Sequence, residues 1–272
     1  MYRHDRFRRT TSIAFMLVVL AVIVLPVALA ESFDNPPQGN INWKVYDYNA
    51  SGQAFRSRQP YRVANGEDGG IAFDFLYTPD TALEITGHPS YRGDLLGDMT
   101  GKTITATVGV TVTSGGPMFT YYGEGTPSNS CGTPANVRLF FQTQTPGPFV
   151  ETDYWWSNPA DADLQLMASG SDMQIKNPMQ GEFWSDYYGH FGTYAYADAF
   201  NAAVKNVKAI GLSFGGGCFF ENGVGIEPGT GSAYFRLMDF SADPPGVVDL
   251  SAEVVPTFIL APFVVPTLIE LP

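Results

Sequence analysis

Two stretches of the 272-residue chain gather side chains of the kinds that bind or cut sugars. The first, Glu151 to Pro159, reads ETDYWWSNP. As a strand it sets Glu151, Asp153, Trp155 and Ser157 on one face, and Thr152, Tyr154 and Trp156 on the other. Residues two apart on one strand face are about 6.5–7 Å apart at Cα. A retaining glycosidase needs its two carboxyls about 5–5.5 Å apart, so Glu151 and Asp153 form a candidate pair for a glycan hydrolase or lyase. The indoles offer a second chemistry. Their negative ring faces stack on the axial C–H edges of a sugar. Because Trp155 and Trp156 point to opposite faces, only one lies in the core unless both faces are covered; packing of both is the competing reading.

The second stretch, Phe183 to Tyr196, reads FWSDYYGHFGTYAY. Trp184, Tyr187, Tyr188, His190, Phe191, Tyr194 and Tyr196 crowd around Gly189 and Gly192, and the glycines with Asp186 mark a loop. Aromatic rings with polar tips supply contact area and hydrogen bonds; a loop packed over a sheet uses the same residues. Trp155, Trp156, Trp184, Tyr187, Tyr188 and His190 are therefore the candidate ligand contacts. No GxSxG or adjacent Ser/Cys pattern gives His190 a nucleophile to activate.

Other motifs carry less. In HPSYRGDLLGDMT (His88–Thr100), Arg92-Gly93-Asp94 matches an integrin-type tripeptide, and Asp94 and Asp98 read as turn caps or as calcium ligands. Gly215-Gly216-Gly217-Cys218 lacks the Lys-Ser/Thr of a phosphate loop.

The ends and the composition bound the rest. Arg3, Arg6, Arg8 and Arg9 precede an apolar run from Ile13 to Leu29 that closes on Ala28-Leu29-Ala30, the pattern of a cleaved secretory signal over residues 1–30. The run is near the lower limit for a membrane span, about 17 residues, and Pro26 interrupts it. Removing four Arg and Asp5 from 15 basic and 27 acidic residues leaves 11 and 26, a net charge of −15. Such a chain repels nucleic acid, whose phosphates need Lys/Arg clusters. No cofactor is expected; structural calcium is the metal that the acidic surplus could hold. Two cysteines, Cys131 and Cys218, lie in the exported part, and an oxidising compartment favours their pairing.

Period-2 segments run through the chain: Asn42–Tyr48, Ile71–Tyr77, Ala82–Thr86, Thr103–Thr113, Val137–Thr143, Phe149–Ser157, Asp163–Met167, Asp172–Lys176, Val207–Phe214 and Gly231–Phe240. One helix is expected over Tyr196–Asn206. The pattern is that of an all-β chain, an antiparallel β-sandwich of jelly-roll type with one short helix and long loops. It spans residues 41–243, after a lead-in over 31–40. A tail, 244–272, is apolar and punctuated by Pro256, Pro262, Pro266 and Pro272, which preclude a regular membrane helix. It reads as a packed or loose end, or as an assembly strand over 254–272 donated to a sheet edge.

Gly93-Asp94-Leu95, Gly101-Lys102-Thr103-Ile104 and Leu237-Met238-Asp239-Phe240 are framework motifs. In their order the chain resembles secreted jelly rolls of the galactose-binding-like class, laminin-B (laminin IV) domains in particular, over about residues 40–242. The resemblance implies a largely non-catalytic extracellular domain and transfers no catalytic residue. Jelly-roll endoglucanases and laminarinases carry Glu-x-Asp-x-x-Glu, and here Trp156 stands at the third carboxylate. The resulting expectation is an exported protein, not an enzyme, that binds a glycan or a cell-surface or matrix component. The alternatives are a structural or adhesion protein assembling through its tail, and a glycan-cleaving enzyme using Glu151 and Asp153.

Overall fold

The computed structural model describes residues 31–32, 42–47, 60–63, 65–67, 70–125, 132–143, 150–216 and 221–244. Residues 1–30 (the expected signal), Cys131, Cys218 and the tail beyond Pro244 lie outside the described residues.

Fifteen strands are formed among the described residues: β1 (Glu31–Ser32), β2 (Trp43–Asp47), β3 (Pro60–Val63), β4 (Asn65–Glu67), β5 (Gly70–Asp74), β6 (Thr81–Thr86), β7 (Thr103–Gly115), β8 (Phe119–Tyr121), β9 (Asn136–Gln142), β10 (Tyr154–Asp163), β11 (Met173–Pro178), β12 (Trp184–Asp186), β13 (Ala209–Gly215), β14 (Val224–Ile226) and β15 (Gly231–Asp243). They make two sheets. One runs β11-β7-β15-β5-β4, with β1 added on β15; the other runs β12-β10-β9-β13-β6-β14-β8, with β2 on β6 and β3 on β2. Every pairing between these strands is antiparallel. The all-β sandwich expected from the period-2 pattern is thus the fold.

Alternation explains the core. Ile104, Ala106, Val108 and Val110 of β7 face Val137, Leu139 and Phe141 of β9 and Ile210, Leu212 and Phe214 of β13 across the interior. Phe73, Phe214 and Phe235 pack edge-on or tilted at 4.9–5.4 Å between ring centroids. Each such side chain contributes about 1.5–3 kcal/mol on burial. The second sheet is buried on its outer face too. Phe140, Tyr154 and Trp156 form an outer cluster there with Ala82, Leu83, Ile85 and Ala209. Desolvation in this cluster pushes the Tyr46 phenol above its ordinary pKa.

Three expectations need correction. Glu151 and Asp153 are not on a strand; they sit in a 3-10 turn (Glu151–Asp153), and β10 begins at Tyr154. Asp163–Met167 is not a strand either. Asp163 caps a short helix, α1 (Leu164–Ala168), its Oδ1 accepting the Leu166 N–H at 3.0 Å. Trp184 belongs to a strand, β12, rather than to a loop. The expected helix is α2 (Ala197–Val204), which closes one end of the core through Phe200, 5.1 Å from Trp155.

Glycine lets backbones touch where α2 meets the aromatic stretch. A Cβ on Gly181 would lie 1.7 Å from the Gly192 carbonyl oxygen, and one on Gly192 would lie 2.6 Å from the Phe200 ring. Gly181→Ala is expected to cost about 3 kcal/mol, since overpacking against rigid backbone forces the chain apart. Thermal melts of the variant check this.

Candidate functional site

The site is the turn that follows β12. Asp186 ends that strand with its side chain completely buried. Its Oδ1 accepts the backbone N–H of Tyr188 at 3.0 Å and of His190 at 2.9 Å. Its Oδ2 lies 3.0 Å from His190 Nδ1. The backbone N–H of Asp186 donates to the His190 carbonyl, and the Gly189 N–H donates to the Asp186 carbonyl. Gly189 sits at φ +85°, where glycine carries no Cβ penalty. One carboxylate thus organises the whole turn, as an Asx side chain does when it mimics backbone.

Rings lead from the core out through this turn. Trp156 contacts Tyr187 at 6.3 Å, Tyr187 contacts Tyr188 at 5.3 Å and nearly perpendicular, and Tyr188 contacts His190 at 6.3 Å. The His190 ring stacks on Tyr196, 4.1 Å apart and within 8° of parallel. Three exposed rings cluster here. Tyr188 is 56% exposed, Phe191 41% and Tyr194 97%. Tyr194 also holds φ +50°, a left-handed conformation that costs a non-glycine residue about 1 kcal/mol or more.

The six candidate contacts divide cleanly. Trp155, Trp156 and Trp184 have no exposed surface, so none can stack on a ligand. Their indole N–H groups donate inward, to Thr152 O, Ser213 Oγ and Pro178 O at 2.7–3.0 Å. Trp155 and Trp156 do point to opposite faces, and both faces are covered. Tyr187 is half-buried against Trp156, while Tyr188 and His190 reach solvent. Phe191, Tyr194 and Tyr196 complete the surface; the sequence places them in the same stretch without revealing which of them project.

The carboxylate pair does not assemble as a strand pair. Asp153 is buried, and its Oδ1 accepts the Thr143 hydroxyl at 2.6 Å while its backbone carbonyl accepts the Thr143 N–H. That fixes the end of β9 against the start of β10.

Asp98 caps its own turn, its Oδ1 accepting the Thr100 N–H at 2.9 Å. The Thr100 hydrogen bonds hold its carboxyl below the usual range, with help from Lys205 and Lys102. Lys102 Nζ donates to the carbonyls of Gly93 and Asp94 at 2.7 and 2.8 Å, which binds the Gly-Asp-Leu turn to the Gly-Lys turn. The two framework motifs are thus one brace. Among the described residues no group of three His, Cys, Asp or Glu could hold a metal ion, and no helix is long and apolar enough to cross a membrane.

At the opposite end Arg138 and Glu221 form a buried ion pair at 2.6 Å. Burial, with the Glu124 and Glu221 carboxylates, raises the pKa of neighbouring Tyr121. Thr133 Oγ1 donates to the Gly216 carbonyl at 2.7 Å, which joins two segments that each run on toward a cysteine.

No protein-family model and no curated protein sequence matches the chain. Solved structures similar to it include the following two. One is from the endo-acting O-glycanases that prominent members of the human gut microbiota express to initiate mucin breakdown: 11% identity, TM-score 0.44, covering 80% of this chain and 99% of that one. The other is the L4b domain of human laminin alpha-2: 8% identity, TM-score 0.39, covering 74% of this chain and 91% of that one. The second belongs to the laminin class that the framework motifs resemble, and neither likeness assigns a ligand, a reaction or a residue role.

Proposed function

We propose that the protein is an exported, non-catalytic glycan-binding protein whose contact surface is the aromatic turn 187–196. One observation carries this reading: Tyr188, Phe191 and Tyr194 are exposed on a turn whose backbone is fixed by a fully buried carboxylate. Exposed rings on a pre-ordered turn lose little entropy on binding, and their faces suit the C–H edges of a sugar. The positive φ of Tyr194 supports the same reading, because strain at an exposed residue that packs on nothing contributes nothing to stability. The use of Asp153 in packing against Thr143 supports binding over cleavage.

The test is retention of the purified protein on a panel of insoluble and soluble polysaccharides, with released sugar recorded alongside, in calcium and in EDTA. Retention without release is expected, in both media. Release of sugar that is lost in Glu151→Gln would replace the binding role by a catalytic one. Tyr188→Ala is expected to weaken retention about tenfold or more, the scale of losing a stacked ring, about 1.5 kcal/mol, with the fold retained and the melting temperature only slightly lowered by the loss of its contact with Tyr187.

A further inference from the structure

The charges around the turn narrow its ligand. From Asn177 to Val204 the chain carries no Lys or Arg, while Glu182 and Asp198 are exposed. Glu182 stands on the short turn (Gly181–Phe183) whose Gly181 abuts Gly192, and Asp198 stands two residues beyond Tyr196 in the first turn of α2. Glu151, half-exposed, lies on the turn that packs against α2. Between Glu182 and Asp198 the chain has no cation; Lys176 and Lys205 flank the stretch. A sulfate or carboxylate approaching the rings meets repulsion, strongest at low ionic strength.

His190 adds an acceptor. A carboxylate can only accept, so the Nδ1 facing Asp186 Oδ2 carries a proton. In the neutral imidazole the lone pair is then on Nε2, on a side chain that is 41% exposed. In that form the nitrogen accepts a hydrogen bond from a sugar hydroxyl.

We infer that the turn recognises uncharged, hydroxyl-rich sugars and turns away sulfated and carboxylated ones. This rests on the glycan-binding reading of the same turn. The probes are laminarin, xyloglucan and galactomannan as neutral polysaccharides, and dextran sulfate and alginate as anionic ones, each at 50 and 500 mM NaCl. At least one neutral polysaccharide is expected to bind tenfold or more tightly than either anionic one at 50 mM, with little change at 500 mM. Glu182→Lys combined with Asp198→Lys is expected to gain dextran sulfate binding about tenfold at 50 mM, and that gain should vanish at 500 mM and in Tyr188→Ala. Tighter wild-type binding to dextran sulfate or alginate, lost in Tyr188→Ala, would overturn the ligand class and leave the site standing. Neutral binding that survives Tyr188→Ala and Tyr194→Ala together would overturn the site. Failure to bind every probe would overturn both.

Discussion

Asp186→Ala is expected to lower stability by about 3 kcal/mol and to abolish ligand retention. The carboxylate is fully buried and accepts from two backbone N–H groups and a ring nitrogen. Hydrogen bonds to charged groups contribute about 1.5–3 kcal/mol each, and unmatched donors cost more when water cannot reach them. The turn is half-exposed, so water can recover part of the loss, which places the total nearer one strong bond than three. Asp186→Asn keeps an oxygen for the Tyr188 and His190 N–H groups and loses the charge. It is expected to cost about 1 kcal/mol and to retain the ligand weakly. Denaturant unfolding of both variants beside a retention assay gives the answer. If Asp186→Ala melts like the wild type and binds as well, the turn is not held by this carboxylate.

The second large effect concerns the cysteines. Thr133 and Gly216 are hydrogen-bonded; Cys131 lies two residues before Thr133 and Cys218 two residues after Gly216. A bridge between them closes a loop of roughly 90 residues, worth about 4–5 kcal/mol in the chain-entropy model. Replacing both by serine is therefore expected to lower the melting temperature by about 8–20 °C for a domain of this size. Thiol titration in denaturant, on protein purified without reductant, should find no free thiol. Two free thiols, or an unchanged melting temperature in the double variant, would remove the bridge.

Much of the architecture was legible because the apolar residues alternate. In β7 the residues Ile104, Ala106, Val108 and Val110 are all buried, as period 2 requires. Alternation failed where a local side chain competed with it. Asp163 caps α1 and turns the following residues helical, which a strand template cannot anticipate. Strands of three residues, such as β8, β12 and β14, are too short to show a period. The site was half legible. Composition located the aromatic stretch, but burial depends on which strands lie above and below. Trp155, Trp156 and Trp184 therefore look like contacts in the sequence and are core in the structure. The Asp186 turn did carry a signal: an Asp two residues before Tyr188, with Gly189 next, is the spacing of an Asx turn.

The most direct measurement is the affinity of wild type and Tyr194→Ala for the best-retained polysaccharide, with the melting temperature of each. Tyr194 is 97% exposed at φ +50°, so its ring supports nothing in the fold. If the turn binds glycan, Tyr194→Ala should lose about tenfold in affinity, about 1.4 kcal/mol, at unchanged stability. Equal affinity in the two proteins would contradict a glycan surface built on this turn.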